Sequence, residues 1–206
     1  FSDVLLGASD ELTEGYLSVT RRMGFWKQKP ISSLRLFADS QRGSIPGEGA
    51  AFFYLSGERN DKTYASIKGF KMINNPWPTE ESGDVIAAFL SENQLNRKEI
   101  GLLFTGTSGD SGSDRLYHPV TNCFDEGTIK ACFKHLCGEY PTSTSFALGL
   151  AALSLKTGKV PEILHLDPNI KDNLESIRKI SRTIDNILIY NNFRGLHHSL
   201  IMVSKG

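Results

Sequence analysis

Side chains able to do chemistry at neutral pH fall in a few stretches of the 206-residue chain. His197 and His198 are adjacent and follow Phe193 closely. An imidazole titrates near neutrality and can donate to a developing oxyanion. The preferred reading of this pair is nevertheless structural, as loop histidines that cap a strand. Lys134 and Glu139 share the segment KHLCGE. Cys123, Cys132 and Cys137 are odd in number and include no CxxC pair, so neither a disulfide framework nor a zinc site is expected. No metal or cofactor is implied. GTSGDSGSD at 106–114 has the glycines of a phosphate cradle, but it lacks both the Gly-Lys-Ser/Thr ending and the GxGxxG pattern. It reads as a solvated loop of turn residues. His118 and His165 have no readable partners.

The elements that must position these residues follow from apolar spacing. DVLLGAS has the look of a buried central strand ending in small residues. A basic stretch from Arg21 to Pro30, containing Trp26, reads as a loop or short helical excursion. Residues 50–55 carry Phe52, Phe53 and Tyr54 and favour strand. After the turn chemistry of 57–61, residues 63–73 form a second strand, and the two are expected to pair as an antiparallel hairpin. Thr79 is a plausible N-cap for an amphipathic helix over 80–94, with Val85, Ile86, Phe89 and Leu90 on one face. Residues 101–106 read as a short strand. Ile129, Cys132, Phe133 and Leu136 fall on one helical stripe. Residues 143–156 are apolar on nearly all sides, the mark of a helix buried within protein, and Gly158 and Pro161 stop it. Another helix is expected around 171–183, then strands over 186–191 and 199–204. Strands mixed with helices indicate a layered α/β fold with a mixed sheet.

Composition removes several classes. Twelve phenylalanines and six tyrosines are too many for a disordered chain. Lys and Arg total 23 against 23 Asp and Glu, so the basic footprint of a nucleic-acid binder is missing. The charge-free stretch between Glu139 and Lys156 falls short of the roughly 20 apolar residues of a membrane span. The chain opens FSDVLLGAS without a basic leader. Its first residues already read as strand, so the expectation is a piece of a longer chain working in a reducing cytoplasm.

Three segments in order resemble the β-ketoacyl synthase branch of the thiolase-like superfamily. Arg35, Phe37 and Gly43 lead into Gly47-Glu48-Gly49-Ala50-Ala51, as in the family's RPFDxxRxGFxxGEGAA. Lys134 begins a segment similar to KSxxGHxxGAAG, followed by the long apolar helix. NNFRGLHHSLIMV resembles NSFGFGGTNxxLVL, with Phe193 on the gating phenylalanine. The resemblance implies a thiolase-like layered α/β fold with a mixed sheet, present as roughly its second half. Residues 1–75 would end the N-terminal half and 76–206 would form the C-terminal half.

The departures carry the functional expectation. No cysteine stands at the family's nucleophile position. Leu103-Phe104-Thr105-Gly106-Thr107 is the best match to HGTGT and puts leucine at the first histidine, while Glu139 replaces the second. Decarboxylative condensation builds negative charge on the thioester oxygen, which aimed donors stabilise. A carboxylate about 4 Å away opposes it by about 4 kcal/mol at an effective dielectric of 20, roughly a thousandfold in rate. Glu139 escapes this only by protonation or by pairing with Lys134, and the pairing is preferred. The expected substrate pocket is Lys134, Glu139, Phe193, Leu103 and Thr107, with His197 and His198 as candidates for replacement chemistry. Ser143, Thr144 and Ser145 stand where the family has small residues, either capping the helix or making the acyl channel more polar. Glu48 is read as structural.

The implied function is a non-condensing partner like the chain-length factors of polyketide or aryl polyene assembly. The alternative is an active 3-oxoacyl-carrier-protein synthase whose cysteine lies in an absent N-terminal half. Either reading implies an acyl carrier protein with its acyl thioester, a ketosynthase partner or missing half, and a dimer. Residues 1–9 and 49–56 are expected to present apolar strand surface to that partner.

Overall fold

The computed structural model describes residues 2–38, 41–74, 82–161 and 184–206. They build two sheets. β1 (Asp3–Asp10) and β2 (Gly49–Ser56) form an antiparallel pair, and the other sheet has five strands. Its order is β3 (Ala65–Asn74), β7 (His197–Lys205), β6 (Asn186–Phe193), β4 (Leu102–Thr105) and β5 (Ile129–Cys132). β3, β7 and β6 are antiparallel neighbours, whereas β6, β4 and β5 run parallel.

The mixed order explains the sequence patterns. β4 lies inside the sheet and reads LLFT, buried at every position, as a parallel strand covered on both faces must be. One face carries α6 (Ser143–Thr157), whose Ala147, Leu148, Ala151 and Leu155 pack with Phe104, Ile129, Phe133 and Ile189. The opposite face carries α2 (Ser82–Glu92) and the short α4 (His118–Thr121), with Ile86, Phe89, Leu90 and Val120 against Leu103, Leu188 and Met202. Burying one such aliphatic side chain contributes about 1.5–3 kcal/mol. Gly158 ends α6 with a φ of +68°, and its N–H donates to Ser154 O at 2.8 Å. That is the left-handed C-cap expected of glycine.

Several expectations need correction. The hairpin between residues 50–55 and 63–73 does not form, because β2 pairs with β1 and β3 pairs with β7. The connection spans residues 57–64, far longer than the two-residue loop of a tight hairpin, and it carries the chain from one sheet to the other. Ile129–Cys132 is strand, not helix. A short, fully covered apolar run looks alike in either conformation, and parallel pairing with β4 decides it. The loop at 106–114 closes with a helical turn, α3 (Ser111–Asp114).

β1 is no covered central strand here. Val4, Leu5 and Leu6 are 44%, 72% and 50% exposed, as are Phe52 and Tyr54 at 66% and 71%. α6, as expected, is covered along most of its length, with Leu153 exposed. The expected apolar surface at 1–9 and 49–56 is thus present. The helix expected at 171–183, the Thr79 cap and His165 lie outside the described residues.

Candidate functional site

Three parallel strands end side by side, which is where open α/β sheets place their ligand crevices. In β4, β5 and β6, Thr105 is in register with both Cys132 and Tyr190. Just beyond these ends stand Thr107, Lys134 and Asn191. Thr105 Oγ1 lies 2.9 Å from Thr107 Oγ1 and 3.5 Å from Cys132 Sγ.

Lys134 opens a one-turn helix, α5 (Lys134–Cys137), directly after β5. Its ammonium is 2% exposed and donates to Glu139 Oε2 at 2.6 Å; the Glu139 side chain is 27% exposed. The expected pair therefore forms, between a buried ammonium and a partly exposed acid. Backbone geometry fixes its acid. Gly138 takes a φ of +78°, Glu139 N–H donates to Ile45 O at 2.8 Å, and Gly47 N–H donates to Glu139 O at 3.1 Å. A Cβ on Gly47 would stand 2.1 Å from Cys137 O, and one on Gly138 would stand 2.6 Å from Gly47 Cα. The two glycines let these backbones touch. Glu48 points elsewhere and accepts the Leu12 N–H at 2.8 Å, the structural part expected of it.

Around the pair the polar groups are tied to each other. Tyr117 Oη donates to Asn191 Oδ1 at 2.8 Å, and Asn191 Nδ2 donates to Thr144 Oγ1 at 2.8 Å. Gly106 lets Asn191 and Tyr117 close over the end of β4, since a Cβ there would fall 1.9 Å from Asn191 Oδ1. Burial, reinforced by the Glu139 charge, pushes the Tyr117 hydroxyl well above its ordinary pKa. Burial also pushes Asp114 up to about 6, although Ser108 and Gly109 donate their N–H groups to it at 2.8 Å each and the Lys134 charge opposes the rise. The backbone donors of the 106–114 loop are thus engaged by the loop's own carboxylates. Burial holds Cys137 up at about 11, so it is a thiol and no nucleophile at neutral pH.

Leu103 is not a pocket residue. It is fully buried among Ile86, Phe89 and Leu188, facing α2 and α4, because it lies inside β4 and two residues short of the strand's end. The candidate histidines are also placed outside the chemistry. His198 is 5% exposed, with Nδ1 2.9 Å from Tyr190 Oη and Nε2 3.2 Å from Gly195 O. A carbonyl only accepts, so Nε2 carries the proton and Nδ1 accepts from the tyrosine. Burial pushes its pKa below the ordinary value. His197 is exposed, with Nδ1 3.1 Å from Asn74 Oδ1, and it stacks on Phe193. Phe193 is 53% exposed at the end of β6, three residues past Tyr190. Lys134 and Glu139 are thus brought into contact, while Thr107 bonds Thr105 at the end of β4. Thr105 was missed in the sequence; its position two residues past Leu103, at the last place of an apolar run, was the available signal.

No protein-family model matches the chain. Over 207 residues it is 24% identical to "Putative polyketide beta-ketoacyl synthase 1" of Streptomyces virginiae, covering 85% of this chain and 46% of that protein. The chain thus spans about half the length of this curated relative. Among solved structures it is similar to the ketosynthase from module 6 of the bacillaene synthase of Bacillus subtilis 168, with TM-score 0.78, 14% identity and 42% of that chain covered. It is also similar to the ishigamide ketosynthase/chain length factor, with TM-score 0.71, 13% identity and 54% covered. A third is a type II polyketide ketosynthase solved in complex with its acyl-carrier protein, with TM-score 0.73, 16% identity and 56% covered. All three alignments take in the whole of this chain. The fold is thiolase-like, and the chain corresponds to its C-terminal portion.

Proposed function

We propose that this chain, which folds as the C-terminal portion of a thiolase-like ketosynthase, belongs to a polyketide-type assembly as a non-condensing, chain-length-factor-like subunit. The observation that carries the reading is the 2.6 Å ion pair between Lys134 and Glu139. In the resembling motif, a lysine and a histidine occupy these positions. Here the cation is spent on the acid beside it, and the histidine donor that would meet charge developing on a thioester oxygen is replaced.

The second supporting feature is the end of β4. With Leu103 in the core, the match to HGTGT moves by two residues, so that Thr105 takes the first histidine position and Gly106 and Thr107 keep the glycine and threonine. A threonine hydroxyl already bonded to Thr107 is no proton relay at neutral pH. Neither His198 nor His197 replaces it, since the first is held between Tyr190 and Gly195 and the second is the exposed first residue of β7, beside Asn74. The subunit would shape an acyl channel, with the polar Thr144 at its wall, and would meet an acyl carrier protein as the compared carrier-protein complex does. A reducing cytoplasm, where three free thiols persist, is the compartment this reading implies.

Intact-protein mass spectrometry after incubation with acyl-carrier-protein thioesters tests it. The expected result is no acyl adduct on the subunit; stoichiometric acylation would favour an active synthase instead.

A further inference from the structure

The basic stretch noted in the sequence forms one wall of a cavity through Met23, Gly24, Trp26 and Gln28. Its volume is about 490 Å³, and Arg42, Arg115 and Arg194 line it together with Trp26, Gln28 and Leu116. Arg115 Nε donates to Gly112 O at 3.2 Å, and Arg42 Nε stands 3.7 Å from the place a Gly112 Cβ would occupy. The Arg194 guanidinium lies 3.8 Å above the Phe25 ring. One acid, Asp110, also lines the cavity. It already accepts from the Gly43 and Gly112 N–H groups at 3.0 and 3.1 Å and from Ser113 Oγ at 2.9 Å. Among the described residues, no carboxylate forms an ion pair with any of the three arginines.

We propose that this cavity binds a phosphate ester, with the phosphate on Arg42, Arg115 and Arg194 and the organic body along Trp26, Met23 and Leu116. Asp110, whose charged form Arg194 favours, balances one of the three guanidiniums, and a dianionic phosphate would balance the other two. A phosphate monoester offers three oxygens to three planar forks, where a carboxylate offers two. The volume lies in the range of small-molecule sites, well beyond a bare ion. Arg194 adds a further argument. It is a non-glycine residue at a φ of +54°, beside Gly195 at +71°. A side chain is strained in that region, and such strain persists where the surroundings hold the residue for a task. The resembling motif has glycine at this position, so the guanidinium is this chain's own feature. The inference stands apart from the ketosynthase reading.

The test is a titration of the intact protein followed by Trp26 fluorescence, in a Trp77→Phe background. The probes are phenyl phosphate and 4′-phosphopantetheine, with phenol and pantetheine as their phosphate-free counterparts. Saturable binding at least tenfold tighter for each phosphate ester than for its counterpart is expected. Arg194→Gly should weaken it at least tenfold while leaving the melting temperature equal or higher, since glycine relieves the positive φ. Arg115→Gln should weaken it likewise. Preference for phosphopantetheine over phenyl phosphate identifies an extended pantetheine-like body, and equal affinity identifies any small phosphate monoester; both uphold the site. Equal binding of the phosphate-free compounds, no binding of either ester, or indifference to Arg194→Gly would overturn the proposal.

Discussion

At the scale of single residues the account turns on which charges are already balanced. Truncating Glu139 to alanine strands a buried ammonium, and breaking a buried pair costs about 3–5 kcal/mol. Because Glu139 is partly exposed, a loss of about 2–3 kcal/mol is expected in chemical denaturation. The double change Lys134→Met with Glu139→Leu should recover most of it. Asp114 gives a pH signature. Its folded pKa of about 6 lies above the ordinary 3.8, so the folded state holds its proton more tightly than the unfolded chain. That contribution is complete below pH 4 and is lost as pH rises through 6, an effect of about 3 kcal/mol. Asp114→Asn should therefore gain on the wild type between pH 4 and pH 7, as read from denaturation midpoints across that range. His198→Ala should cost about 1–3 kcal/mol by removing a buried imidazole bonded to Tyr190 and Gly195. The Lys134–Glu139 contact was legible in the sequence because the KHLCGE spacing set both partners. The burial of Leu103 was not, since one short apolar run shows neither its register nor its faces.

At the scale of elements, close backbone approach decides what can change. Gly47→Ala places a methyl group against Cys137 O and should destabilise by more than about 2 kcal/mol, displacing Glu139 as it does so. Gly149→Ala is the control, because nothing lies within 4 Å of a Cβ built inside that helix. It should stabilise by about 0.5–1 kcal/mol, and thermal melts of the two variants check both signs. The long helix α6 was legible from its length and its stop at Gly158. The strand at Ile129–Cys132 was not, because four buried residues satisfy a helical stripe as well as a strand. The false hairpin failed for a related reason: local turn chemistry predicts a reversal, but which neighbour a strand finds is a tertiary matter.

At the scale of the whole molecule, one face of the two-stranded sheet is exposed among the described residues, while Phe53 on the other packs against the α6 cluster. Leu5, Phe52 and Tyr54 share one exposed face of the β1–β2 pair, an apolar surface of the kind natural sheets keep covered. Light scattering on the isolated chain should show self-association, relieved by the polypeptide that completes the fold; a well-behaved monomer would contradict this. The ordered motifs made the layered fold legible, whereas the cavity of three arginines was invisible because Arg42, Arg115 and Arg194 meet only in space. The central claim is that the Lys134–Glu139 pair leaves no group to steady an enolate. Release of labelled carbon dioxide from malonyl-carrier protein by the intact protein measures this directly. Release at the rate of the carrier protein alone is predicted, and saturable decarboxylation that Glu139→Ala abolishes would contradict the account.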